Sequence, residues 1–138
     1  MPLKMQEFLD QATHNESLLN TLDEKFPDDF FDWKITIAFY TILHYMNAYL
    51  SAEGRGILCK DHWDRNNHLN PNAFESTFPL TEDNWDLYYE MYIKSRLVRY
   101  NGIRNKVIAK KKWKQDYNLI EGHFKKLKEF VLDDLNLS

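Results

Sequence analysis

Between Asp32 and Ser51 the chain reads DWKITIAFYTILHYMNAYLS, and apolar side chains fall on almost every side of the helix this pattern predicts. A helix wetted along one side would carry a charged face there. This one has none, so it is expected at the centre of a small bundle. Its single polar stripe is Tyr40, His44, Asn47 and Ser51, spaced four, three and four residues apart. Buried polar groups need partners, and His62, Arg65, Arg96 and Arg99 are the candidates elsewhere in the chain.

The flanking segments also carry helical spacing. Met5, Phe8, Leu9, Ala12, Leu19, Leu22 and Phe26 form an intermittent stripe that predicts a first helix over Leu3 to Phe26. Pro27-Asp28-Asp29 breaks it, and an Asp of that group, or Asp32, is expected to cap the next helix. Gly54 and Gly56 mark that helix's end. Residues 55 to 80 are the least regular, with a short helix expected over Asp61 to Leu69 before Pro71 and Pro79. Asp83 is placed to cap a third major helix from Trp85 to Tyr100, which Asn101-Gly102 stops or bends. Tyr117, Ile120, Phe124, Leu127, Val131 and Leu135 make a bundle seam in a last helix over Lys114 to Leu135. No segment alternates with period two. The expected fold is all-α, an antiparallel up-and-down bundle of four to five helices in one domain over residues 1–138.

Composition narrows the functional classes. The net charge of −3 gives no bulk signature of a nucleic-acid binder, so any such role would rest on a local patch. Cys59 is the only cysteine, which excludes an intrachain disulfide and, on this reading, a cysteine-based zinc site. A reducing cytoplasm fits that usage. The N-terminus turns polar too early for a signal peptide, and the apolar run of the second helix is short for a membrane span.

Five places could carry chemistry. His62 and Arg65 share a face if their segment is helical, and a guanidinium beside an imidazole suits binding or cleaving a phosphodiester. The plainer alternative is an ordinary surface loop. Arg96 and Arg99 follow Tyr92 on one side of the third helix and are joined by Tyr100, an arrangement able to grip a phosphate and stack a base. Otherwise they favour the helix dipole or pair with Glu90, Asp83 or another helix's carboxylates. His44 is either a satisfied core histidine or part of the site. Lys110-Lys111-Lys112-Trp113-Lys114 could follow a nucleic-acid backbone, but reads more simply as a solvated connection between helices. A metal held by His44, His62, His68 and Asp61 or Asp64 is not expected, because His62 and His68 lack the spacing that puts two ligands on one helical face. Nor is any cofactor expected. Cys59 near Lys60 and His62 has nothing to orient it as a nucleophile.

The order DW-x-x-x-x-AFY-x-x-LHY-x-NAYL, then H-x-x-R, then YY-x-x-Y-x-x-S-R-x-x-RY, resembles bacterial HEPN domains. It runs from Asp32 and Trp33 through Phe39, Tyr40, His44 and Asn47 to His62, Arg65, Tyr92, Ser95, Arg96, Arg99 and Tyr100. The resemblance implies a helical bundle, often a homodimer. It also implies a metal-independent endoribonuclease of a toxin or defence system, a nucleotide binder, or a partner of a nucleotidyltransferase or antitoxin. One departure stands out. Where the ribonuclease members carry R-N-x-x-x-H, this chain has Arg104-Asn105-Lys106-Val107-Ile108 followed by Ala109.

Two expectations follow. In one, the protein binds RNA or a nucleotide and, in its catalytic form, cleaves RNA, with His62 or His44 moving a proton and Arg65, Arg96, Arg99 and Arg104 holding phosphate beside Tyr92 and Tyr100. In the other, it is a non-catalytic helical interaction module. Convergence of these side chains in one place favours the first; scatter over the exterior favours the second.

Overall fold

In the computed structural model, which describes residues 2–100 and 106–137, the elements are α1 (Leu3–Lys25), α2 (Phe31–Leu50), α3 (His62–Leu69), α4 (Glu82–Tyr100) and α5 (Lys106–Asp134). Among the described residues there is no strand. The all-α bundle follows from the period of the apolar positions, as expected.

Helix α2 is the hub, touching α1, α4 and α5. Ile35, Phe39, Ile42, Met46 and Leu50 on it are fully buried, and each contributes roughly 1.5–3 kcal/mol by leaving water. Side-chain pairs fix the directions. Asp23 meets Lys34 while Glu16 meets Tyr45, so α1 and α2 are antiparallel. Glu90 meets His123 while Lys94 meets Asp116, so α4 and α5 are antiparallel. Phe31 packs on Tyr117 and Tyr49 on Phe130, so α2 and α5 run the same way. The four long helices therefore alternate up and down.

The element ends differ from the sequence expectation in three places. No Asp side chain caps α2. Phe30 occupies the N-cap position in the left-handed region, φ 58°, and its N–H donates to Asp29 Oδ1 at 2.7 Å. Helix α4 begins at Glu82 rather than Trp85, because Thr81 Oγ1 accepts the Asn84 N–H at 3.2 Å and takes the capping role assigned to Asp83. Helix α5 begins at Lys106, eight positions before Lys114, so the basic run is helical and not a connection. Lysine and alanine are good helix formers, and Lys110 and Lys114, one turn apart, both reach Asp28 (3.7 and 2.7 Å). Those lysines hold the Asp28 carboxyl below its usual range, the Lys114 hydrogen bond first.

Helix α3 is held differently from the others. It lies outside the main helix–helix contacts. Asp61 caps it by accepting the Asp64 N–H at 2.8 Å, and Leu69 closes it from the core side, its carbonyl accepting the Leu80 N–H at 2.9 Å. Its other anchor is Arg65.

A candidate anion site around His62

Arg65 is buried, at 6% exposure, although it lies on a polar helix of eight residues. Its Nε donates to Asn47 Oδ1 on α2 at 2.8 Å. Its Nη1 approaches His62 Nδ1 at 3.4 Å, one turn back on α3. A guanidinium has only donors, so in this contact Nδ1 accepts and the His62 proton sits on Nε2. His62 and Arg65 thus share a face of a capped helix, and the surface-loop alternative does not hold.

Two tyrosines link this pair to α4. The His62 ring lies 5.2 Å from the Tyr92 ring and 6.4 Å from the Tyr40 ring. The Arg96 guanidinium lies 5.6 Å from the Tyr92 ring, with Nη1 3.4 Å from the phenol oxygen. The Arg99 guanidinium lies 5.2 Å from the Tyr40 ring and 5.4 Å from the Tyr100 ring, while its Nη1 donates to the buried Ser95 Oγ at 3.1 Å. Arg65 thus touches the imidazole directly, while Arg96 and Arg99 stand one aromatic ring away from it, on Tyr92 and Tyr40. Burial first, then these three charges, push the His62 pKa below its ordinary value, against a weaker opposing pull from Asp61.

Three cations whose charges all bear on one imidazole are ordinarily balanced by carboxylates. Among the described residues none of the three forms a salt bridge with a carboxylate, whereas Glu90, offered by the sequence as a partner, is taken by His123 at 2.8 Å. Arg99 does sit in the last turn of α4, where a cation is favoured. Its Nε, however, is buried without a hydrogen-bond partner among the described residues. An acceptor is missing, and a tetrahedral oxyanion would supply several.

Beyond Arg99 a surface hollow of about 350 Å³ is lined by Asp32, Trp33, Thr36, Val98, Arg99 and Tyr100. Trp33 and Tyr100 are exposed there, at 61% and 74%. A planar ring entering beside Arg99 would meet an aromatic face.

The remaining sequence candidates fall elsewhere. His44 stacks on Phe8 of α1 with ring centroids 6.3 Å apart, makes no ring contact or hydrogen bond with His62, and leaves Nδ1 buried and unpartnered. Burial, then the Arg65 charge, lowers its pKa. It feels the cluster's field without joining it. Arg104 lies outside the described residues. Ala109 falls within α5. Cys59 is a protonated thiol, pushed by burial up to about 11, which suits no nucleophile at neutral pH. Asn47 was visible in the sequence only as part of a polar stripe. Its spacing from His44 could not say that its partner would be an arginine from α3.

Comparison of the chain with protein-family models, with curated proteins and with solved structures finds no match in any of the three. Among the described residues no helix is long and apolar enough to cross a membrane.

Proposed function

We propose that this is a HEPN-like protein that binds the phosphate of RNA or of a nucleotide at His62, Arg65, Arg96 and Arg99. The observation carrying this reading is that Arg65 contacts His62, that Arg96 and Arg99 stand on the Tyr92 and Tyr40 rings beside it, and that none of the three is bridged to a carboxylate among the described residues. Phosphate oxygens would accept from Arg96 and Arg99 and from His62 Nε2, and would leave Tyr92 and Tyr100 to contact base or ribose.

Cleavage is an extension of the same geometry. The lone pair on His62 Nδ1 faces Arg65 Nη1 across a long contact of 3.4 Å. A phosphate drawing Arg65 Nη1 toward itself would free Nδ1 to take the proton of a ribose 2′-hydroxyl. The 2′-oxygen would then bond to phosphorus as the bond to the 5′-oxygen breaks, giving a 2′,3′-cyclic phosphate and a 5′-hydroxyl protonated from solvent, while the arginines stabilise the charge building on phosphorus-bound oxygen. In that form the protein is a metal-independent endoribonuclease of a toxin or defence system, working in the cytoplasm, with Ala109 leaving the task to His62.

A second reading draws on exposed aromatics away from the cluster, Trp63 at 74% and Phe74 fully open. These suit a non-catalytic module that pairs with itself or with a nucleotidyltransferase or antitoxin.

The test is anisotropy of a labelled single-stranded RNA, followed by gel analysis of the same RNA with and without chelator. Salt-sensitive binding lost in Arg96→Ala/Arg99→Ala supports the phosphate site. Cleavage that survives chelator and disappears in His62→Ala supports the enzyme. Intact, unbound RNA and unbound nucleotide, together with a dimer broken by Trp63→Ser in sedimentation, would move the assignment to the interaction module.

A further inference from the structure

At α3, the ligand atoms of Cys59, Asp64 and His68 lie within 4.8 Å of one another. Sequence spacing concealed this group. Asp64 and His68 are an i, i+4 pair on one helical face, and Cys59 comes from the segment leading into that helix. We propose that Cys59, Asp64 and His68 form a binding site for a divalent d-block cation of zinc type, which fastens α3 to the segments on either side of it.

The donor set is the first argument. A thiol sulfur, an imidazole nitrogen and a carboxylate oxygen are the ligands zinc takes, and three protein ligands leave a fourth position for water. The distances are the second. Asp64 Oδ1 and His68 Nε2 are 3.3 Å apart, about the edge of a tetrahedron whose metal–ligand bonds are ~2.0–2.1 Å. Closing the group onto a metal requires a contraction of roughly one ångström in the sulfur distances.

The third argument is how the ligands are held from behind. His68 Nδ1 shares a 2.8 Å hydrogen bond with Thr77 Oγ1, which sets the ring and turns Nε2 toward Asp64. Asp64 Oδ2 accepts the Lys60 N–H at 3.1 Å, leaving Oδ1 for the metal. Outer hydrogen bonds of this sort orient the ligands of known metal sites. The three ligand residues are half-buried, so a cation can enter from solvent.

Binding requires the Cys59 thiol to lose its proton to solvent as the sulfur–metal bond forms, with no change of oxidation state. Such a tie joins residue 59, both ends of α3 and, through Thr77, the stretch before α4. That matters because α3 has few packing contacts of its own and carries His62 and Arg65. The inference holds whether or not those residues bind phosphate.

Cobalt(II) titration of the full chain is the test, since a thiolate–cobalt bond gives a near-ultraviolet charge-transfer band and a tetrahedral site gives intense visible bands. One equivalent should produce both, and zinc should displace it. Cys59→Ser should abolish the charge-transfer band, and His68→Gln or Asp64→Asn should weaken binding at least tenfold. Each variant should keep the wild-type far-ultraviolet circular dichroism without metal. Zinc should raise the melting temperature of the wild type and not of Cys59→Ser. Absence of the charge-transfer band, or binding that persists unchanged in Cys59→Ser, would overturn the site.

Discussion

Arg65 Nε and Asn47 Oδ1 meet at 2.8 Å in the interior, eighteen residues apart in sequence, and this bond seats the short helix α3 against the hub of the bundle. It joins fold to site, because the same guanidinium faces His62. Replacing Asn47 by Ala leaves a buried charged donor without its acceptor and should cost about 1–3 kcal/mol in urea denaturation.

Asn47→Asp separates stability from function. An aspartate at this position keeps the hydrogen bond to Arg65 and adds a charge pair, so the protein should stay folded. The same carboxylate cancels one positive charge of the cluster. RNA affinity should therefore fall several-fold relative to wild type at low salt, with the difference shrinking as salt rises. Anisotropy at several ionic strengths checks it. Unchanged affinity would detach Arg65 from ligand binding.

Arg99 is the cluster's cleanest phosphate probe, since it is partly open to solvent and its partners, Ser95 and the Tyr40 and Tyr100 rings, are neutral. Arg99→Ala should weaken RNA binding and lower the slope of log affinity against log salt by about 0.7 for each phosphate contact removed from a single strand. The melting temperature should change little. A slope equal to wild type would mean that Arg99 touches no phosphate.

His44 makes stability depend on pH. Its folded pKa is depressed, first by burial and then by Arg65, below the ordinary 6.5. Between the folded value and 6.5 the unfolded chain binds more protons than the native one, so stability is full above 6.5 and falls as the pH drops through that window. His44→Phe removes this contribution and the unpartnered Nδ1 together. Urea midpoints from pH 7.5 to 5 should decline less steeply in the variant, with the residual slope coming from His62 and the carboxylates.

Most of the fold was legible because helical periodicity is a property of the sequence itself. The apolar seam of Tyr117, Ile120, Leu127 and Val131 is buried as its spacing required. The boundaries were legible only where a local signal fixed them. The Lys110–Lys114 run carried no apolar stripe, and its contact with Asp28, more than eighty residues away in sequence, has no local signal. The His62–Arg65 pair was legible as one face of a short helix. Its meeting with Arg96 and Arg99 was not, because it runs through Tyr92 and Tyr40 on two other helices. The Cys59–Asp64–His68 group escapes the sequence because a lone cysteine reads as excluding a zinc site and the spacing test falls on His62 and His68, whereas one thiol with an Asp–His pair at i, i+4 can supply three ligands.

Lys34 gives the last prediction. It is 1% exposed at the start of α2, and its ammonium donates to the Phe26 carbonyl, lies 3.5 Å from Asp23 and sits 4.8 Å from the Phe31 ring. The same Asp23 accepts the Tyr117 hydroxyl at 2.9 Å, so one carboxylate links α1, α2 and α5. Lys34→Met keeps most of the buried stem and removes the charge. The Phe26 carbonyl loses its donor, Asp23 loses its cation, and the turn joining α1 to α2 loses its internal tie. Because Asp23 is partly open to water, at 39% side-chain exposure, solvent recovers part of the loss. The expected destabilisation is about 1–3 kcal/mol by urea denaturation, with RNA affinity unchanged because the ammonium is turned to Asp23, Phe26 and Phe31 and contacts none of the arginine cluster. A variant as stable as wild type would show that the ammonium is held there by packing alone.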